Sequence, residues 1–249
     1  MTLARRVIPT ILCAGTRMVK GRQFASNRVV GRAADAVRVH QGRQVDELVL
    51  LDVTATKEGR TPDLKMIDEL AKECFMPLTV GGGIRTVEDV RQLLRHGADK
   101  VVIGTAAIEQ PDFVREVADT FGSQAVVASL DVKGGRCWTQ CGTAALILHS
   151  APDVWAKTME FRGAGEILLQ SIDRDGTMTG YDLDLIREVS AAVSIPVIAS
   201  GGCGTPEHAL EAIRAGADAV AAGAMYQFTD YTPKDVARHL KESGVSVRL

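Results

Sequence analysis

No stretch of this 249-residue chain approaches the roughly 18 or more consecutive apolar residues of a membrane span, so a membrane protein is not expected. Met1–Arg6 carries two arginines but leads only into a short apolar run, Val7 to Ala14, without the longer stretch and small-residue cleavage pattern of a secretory leader. Aromatic residues are scarce at 4%, and charge of one sign is lacking, with 29 Lys+Arg against 31 Asp+Glu for a net of −2. The basic residues are scattered, so the chain has no electrostatic footprint of a nucleic-acid surface and no polynucleotide partner is expected. Cysteine is sparse as well. Cys13, Cys74, Cys137, Cys141 and Cys203 are odd in number and irregularly spaced, which argues against a disulfide framework and for a reducing, cytoplasmic setting. Cys137 and Cys141 form a lone C-x3-C without a second pair nearby, so no metal site and no cofactor is expected. No G-x-G-x-x-G follows the first apolar run, which weakens a dinucleotide reading and the doubly wound sheet with it.

What is present is 46% hydrophobic residues and 24% charged ones, the balance of a soluble globular chain with a sizeable core. Short apolar runs alternate with amphipathic stretches, the pattern of repeated βα units around a parallel sheet. Eight runs read as buried strands: Arg6–Leu12, Val45–Val53, Pro77–Val80, Lys100–Ile103, Gln124–Asp131, Glu166–Ile172, Pro196–Ala199 and Ala219–Gly223. Helices are expected over Val87–His96, Asp112–Phe121, Leu183–Val193, Glu207–Ala215 and Pro233–Ser243. Eight strands each followed by a helix make one (β/α)8 barrel domain over residues 1–249, a length such barrels reach without a second domain.

An internal repeat strengthens that expectation. Gly82-Gly83 with Thr86, and Gly97-Ala98-Asp99, recur 119 positions later as Gly201-Gly202 with Thr205, and Gly216-Ala217-Asp218. The same offset pairs Glu47 with Glu166 and Gly104 with Gly223, as expected of two similar half-barrels.

A barrel builds its site at the C-terminal ends of its strands. There this chain places Gly81-Gly82-Gly83 and Gly104-Thr105 in one half, and Asp175-Gly176-Thr177, Ser200-Gly201-Gly202 and Gly223-Ala224 in the other. Glycine backbone N–H groups approach anions closely, and a helix N-terminus behind them adds its dipole. Two such clusters half a barrel apart suit a small substrate with a phosphate at each end. The alternative is that the glycines only make tight turns into helices.

Across nearly its whole length the chain resembles the cyclase subunit of imidazole glycerol phosphate synthase, the HisF-like barrels of histidine biosynthesis. The resemblance is carried by Val19-Lys20-Gly21, Asp46-Glu47-Leu48, Leu51-Asp52-Val53-Thr54-Ala55, Thr79-Val80-Gly81-Gly82-Gly83-Ile84, Gly97-Ala98-Asp99-Lys100-Val101, Phe121-Gly122-Ser123-Gln124, Gly163-Ala164-Gly165-Glu166, Asp173-Arg174-Asp175-Gly176-Thr177, Gly180-Tyr181-Asp182 and Ile198-Ala199-Ser200-Gly201-Gly202. It implies a glutaminase partner whose ammonia enters the bottom of the barrel. At the top, ammonia would cleave a bisphosphorylated ribulosyl-imine into imidazole glycerol phosphate and an aminoimidazole carboxamide ribotide. By the same resemblance Arg6, Glu47, Lys100 and Glu166 form the ammonia gate, although charges there also serve as a stabilising plug. Asp99 and Gln124 lie at the partner interface. Lys20, in a loop after the first strand that is poised to close over substrate, grips an anion. Gly83, Gly104, Thr105, Asp175, Gly176, Gly202, Gly223 and Ala224 hold the phosphorylated substrate.

The family's chemistry uses two facing carboxylates as general acid and base. Asp131 matches the second. The first is replaced: the family reads Pro-Cys-Leu-Asp where this chain reads Pro9-Thr10-Ile11-Leu12. The repeat agrees, since Leu12 lies 119 positions before Asp131. A leucine cannot move a proton, and as an apolar neighbour it is expected to raise the pKa of Asp131. Gly104 stands for the family's asparagine and Ala224 for its serine. Cys13 is expected to point away from the mouth, because neighbouring strand residues face opposite sides. Cys203 is expected to be a packing residue.

Two functions follow from the resemblance. One is an ammonia-dependent synthase working with Asp131 as sole carboxylate. The other is a non-cyclising paralogue that channels ammonia from a glutaminase to a sugar amidotransferase in acetamidino-sugar biosynthesis. Paralogues linked to bacterial surface sugars also lack the first-strand aspartate, and Glu73-Cys74-Phe75-Met76-Pro77 and Phe228-Thr229-Asp230 resemble them. The related isomerase of the same pathway is a weaker third reading, since it needs no ring of charges.

Overall fold

The computed structural model describes residues 4–43, 45–140, 144–145 and 151–249, so Cys141 of the C-x3-C pair lies outside the described residues. Eight parallel strands close a barrel: β1 (Arg6–Ala14), β2 (Leu48–Asp52), β3 (Leu78–Gly81), β4 (Lys100–Ile103), β5 (Val126–Lys133), β6 (Glu166–Ser171), β7 (Val197–Ser200) and β8 (Ala219–Ala222). Each strand bonds to its neighbours in chain order, and pairing of β8 with β1 closes the ring.

Two strands end two residues later than expected, at Ala14 and Lys133, and for the same reason. The end of β1 folds back on the strand Arg17–Arg22 through Cys13 and Met18, and the end of β5 folds back on Arg136–Thr139 through Val132 and Cys137. These registers are again 119 positions apart, so both halves carry an antiparallel flap after their first strand. The segment after β1, expected as a loop, is therefore a hairpin of Arg17–Arg22 and Ala25–Arg32. Its own backbone ladder orders it without a ligand.

Side chains alternate between two cores. Ile8, Val49, Leu51, Val102, Val127, Leu168, Ile198, Ala219 and Ala221 fill the barrel interior, with Leu12 packed partly against them. Val7, Ile11, Cys13, Leu48, Leu50 and Leu130 face outward into the layer shared with the helices. Helices at Val87–Arg95, Pro111–Phe121, Leu183–Ala192, Pro206–Arg214 and Pro233–Glu242 match the amphipathic stretches read from the sequence. Thr86 caps the first through a reciprocal bond with Asp89, and proline starts three of the others, where its missing N–H costs nothing.

Candidate active site at the barrel mouth

At the N-terminal end of the strands, the four charges named from the sequence meet in one ring. Arg6 Nη1 donates to Glu47 Oε2 at 2.6 Å and to Glu166 Oε1 at 3.1 Å, while Lys100 Nζ reaches Glu47 at 3.1 Å and Glu166 at 3.0 Å. Glu47 is only 2% exposed and also accepts from Thr79 Oγ1 at 2.7 Å, so its charge is held by three partners. Burial works against the Arg6 cation, but Glu166 and Glu47 outweigh it and raise its pKa.

On the same end, Asp99 is exposed yet tied into the sheet. One carboxylate oxygen accepts from Leu78 N at 2.8 Å, and its own N–H donates to Leu78 O at 2.8 Å. Asp218 does the same for Val197, at 3.1 and 2.9 Å. The Gly-Ala-Asp repeat is thus a strand clamp in both halves, whatever else Asp99 does. Gln124 is exposed and donates to Phe121 O.

At the opposite end lies a cavity of about 490 Å³. Asp131, Lys20, Gly83, Gly104, Thr105, Asp175, Gly176, Gly202, Gly223 and Ala224 all line it, so the residues read as catalytic and phosphate-binding are brought to one mouth. The glycines have a structural duty too. A Cβ on Gly82 would lie 2.3 Å from Asp52 O, and one on Gly201 would lie 2.6 Å from Ser171 O, both at positive φ. The Gly83 N–H is already donated to Thr56 Oγ1 at 3.2 Å.

Lys20 is not on an open loop. It is 5% exposed, and Nζ donates to Thr10 O at 3.3 Å. A Cβ on Gly223 would sit 2.4 Å from that Nζ, so glycine there makes room for the lysine. Burial lowers the Lys20 pKa to about 8, with Asp175 opposing it. Gly176 meets the hairpin so closely that a Cβ would be 2.3 Å from Gly21 O, and Gln23 N donates to Asp175 O at 2.9 Å. The hairpin is therefore fixed across the Asp175-Gly176 turn.

Asp131 is the carboxyl of this mouth, and burial raises its pKa to about 6 even though Gln170 and Ser129 donate to its ionised form. Gln170 Nε2 donates to Asp131 Oδ1 at 2.9 Å and Ser129 Oγ donates to the same oxygen at 3.0 Å. Sequence reasoning missed Gln170 and Ser129. The available signal was strand alternation, because Leu168 and Gln170 share the inward face of β6.

Across the barrel the equivalent positions are apolar. Leu12, Leu51 and Val102 stand where Asp131, Gln170 and Ala221 stand in the second half. Thr10, the counterpart of Ser129, is 9% exposed, and its hydroxyl has no hydrogen-bond partner among the described residues. Cys13 faces outward as expected, and burial, with Asp52 adding, pushes its thiol far up, the state of an inert packing residue. Cys203 packs its sulfur 3.8 Å from Met225 Sδ, and burial holds its thiol at about 11.

Comparison with known proteins gives the chain's family. Residues 6–232 match the family model described as histidine biosynthesis protein. The imidazole glycerol phosphate synthase subunit HisF of Dictyoglomus thermophilum is 44% identical over 250 residues, covering 99% of each chain. The HisF of Pyrococcus furiosus is 43% identical over 251 residues, and a subunit named hisF2 in Campylobacter jejuni is 42% identical over 250 residues, each again covering 99% of both chains. With one closed barrel, a four-charge ring at its base and a match over nearly its full length, the chain belongs to the histidine biosynthesis protein family, on its HisF-like branch.

Proposed function

We propose that this chain is an ammonia-dependent synthase subunit of the imidazole glycerol phosphate type, working with one carboxyl where two are usual. Ammonia from a glutaminase partner enters past the ring of Arg6, Glu47, Lys100 and Glu166 and rises along the apolar axis. It meets a bisphosphorylated ribulosyl-imine held between the two glycine clusters, with Lys20 gripping an anion near Gly223 and Thr10. The observation that carries this reading is Asp131: a half-buried carboxyl poised at about 6, lining the same mouth as both glycine clusters. A group titrating near neutral pH takes a proton in one step and returns it in the next, which lets one residue act as base and then acid.

The partner docks at the base, over Asp99 and Gln124. Because Asp99 also clamps Leu78, Gln124→Arg is the cleaner docking probe: affinity for the glutaminase falls while the melting temperature stays. The mouth operates in a cytoplasmic setting and needs no metal or cofactor in this scheme.

A second reading has its own support. The ring is intact while the first half of the mouth is walled by Leu12, Leu51 and Val102, the arrangement expected of a paralogue that passes ammonia to a sugar amidotransferase without closing a ring. One assay separates the two. Purified protein is given the ribulosyl-imine bisphosphate and excess ammonium salt, and imidazole glycerol phosphate is followed by mass. Product above background, abolished in Asp131→Asn, supports the synthase. No product, with ammonia still delivered from the glutaminase, supports the conduit.

A further inference from the structure

Three inward-facing positions on adjacent strands share one register in each half. In the first half Leu12 sits opposite Leu51, and Leu51 opposite Gly81. In the second half Asp131 sits opposite Gln170, and Gln170 opposite Ser200. An amide in the place of Leu51 has its polar groups half-buried, and such groups persist only when bonded. Gln170 is fully engaged. Its Nε2 donates to Asp131 Oδ1 at 2.9 Å and lies 3.3 Å from Ser129 Oγ, while its Oε1 accepts from Ser200 Oγ at 3.5 Å. A carboxylate only accepts, so the amide NH2 must be the end that faces it, and the serine hydroxyls complete a directed chain. Both donors end on the same oxygen. Among the described residues no protein donor reaches the other, Oδ2.

We infer that Gln170 is a positioning residue that occupies Oδ1 of Asp131, fixes the carboxyl's rotamer and leaves Oδ2 as the single oxygen presented to the mouth. The inference deepens the reading of Asp131 as the proton-transfer group and depends on it only for the consequence in catalysis. The titratable groups around Asp131 are Asp175 from the loop after β6, Cys137 from the flap after β5 and, beyond Asp175, Lys20 of the hairpin. Gln170 is neutral, so its effect on the carboxyl passes through a hydrogen bond to the charged form and not through net charge.

The test needs no substrate. Aspartate is labelled at the side-chain carboxyl carbon and Asp131 is titrated by NMR in the intact protein from about pH 3.5 to 8. Gln170→Met keeps length and bulk but removes the donor, and the Asp131 midpoint is expected to move up by about one unit, the usual scale for a lost bond to a carboxylate. An unchanged or lowered midpoint overturns the inference. Should that variant not fold, the unaltered protein decides: the side-chain amide signals of Gln170 are expected to shift with the Asp131 midpoint, and flat signals overturn the inference. An inactive enzyme with the expected titration would fail the proposed reaction while leaving the positioning role standing. Activity without the titration shift would do the reverse.

Discussion

In the first half of the barrel Asp99 clamps Leu78, Thr86 caps a helix and Gly82 turns tightly past Asp52; in the second half Asp218, Thr205 and Gly201 do the same against Val197, the next helix and Ser171. The strand-end flaps repeat in register as well. At the mouth the repeat breaks: Leu12, Leu51 and Gly81 face Asp131, Gln170 and Ser200 across the axis. Backbone geometry is shared because each half must close the same curve with the same strand spacing. Leu12 and Leu51 fill their side of the mouth by apolar packing, and Asp131 and Gln170 fill theirs by bonding to each other, so the two halves diverge without cost to closure. One half of this molecule carries a hydrogen-bonded polar trio at its mouth, and the other half carries an apolar wall.

The largest expected effect concerns the ring that ties the halves together. Glu47→Ala leaves Arg6 and Lys100 facing each other with Glu166 alone, and orphans the Thr79 hydroxyl; urea unfolding should show a loss of about 3 kcal/mol. A loss well below about 1 kcal/mol would mean the ring is solvated and contributes little to holding the halves together.

Next is restoration of symmetry at the mouth. Leu12→Asp is expected to raise cyclase turnover by about 10²-fold, the scale of one general acid–base group. Thr10, whose hydroxyl is unpartnered among the described residues, should then donate to the new carboxylate as Ser129 donates to Asp131, so adding Thr10→Ala should cancel part of the gain. A folded Leu12→Asp variant without any gain would show that position 12 alone does not silence the first half.

Removing the Asp131 carboxyl is expected to stabilise the fold in a pH-dependent way. The Asp131 carboxyl titrates near 6 in the folded chain and near about 3.9 when unfolded, so the folded state holds the proton more tightly. The native protein therefore loses stability as pH rises from about 4 to about 6 and stays level above that. Against it, Asp131→Asn should gain nothing at pH 4 and about 2 kcal/mol at pH 8 in paired thermal or urea curves. A gap that does not open between those pH values would mean the carboxyl is better solvated than its burial indicates.

The smallest effect returns to the shared scaffold. Thr86→Ala should cost about 1 kcal/mol, because Asp89 N loses the hydroxyl it donates to at 3.1 Å, while the Thr86 N–H still donates to the Asp89 carboxylate. Thr205→Ala should cost less, since the bond Thr205 accepts from His208 N is longer, at 3.4 Å, and Pro206 already sets the first turn. Equal costs would mean the two caps are interchangeable despite their different partners.

Much of this was legible in order of residues. The eight apolar runs, the offset of 119 and the pairing of Leu12 with Asp131 by that offset are all linear features, because strand alternation and chain duplication write themselves directly into spacing. The hairpin after β1 was not legible: Arg17–Arg22 and Ala25–Arg32 are rich in arginine and small residues, and their ladder depends on pairing with the end of β1. Asp99 likewise reads as a surface charge, and only its placement at the foot of β3 turns it into a clamp. Gln170 sits in an apolar run and gives no motif of its own.

The sequence by itself determined the barrel, its two-fold repeat and the absence of a first-strand carboxylate, because each rests on periodicity or on a residue's identity, while the four charges at the base were implied by the family resemblance. Only the tertiary structure decided that Lys20 is buried against Thr10, that Gln170 and Ser129 share one oxygen of Asp131, and that the Thr10 hydroxyl has no partner among the described residues. Those are consequences of which strands become neighbours when the sheet closes. Chain order does not carry such distances, since the residues concerned lie far apart until the barrel brings them together.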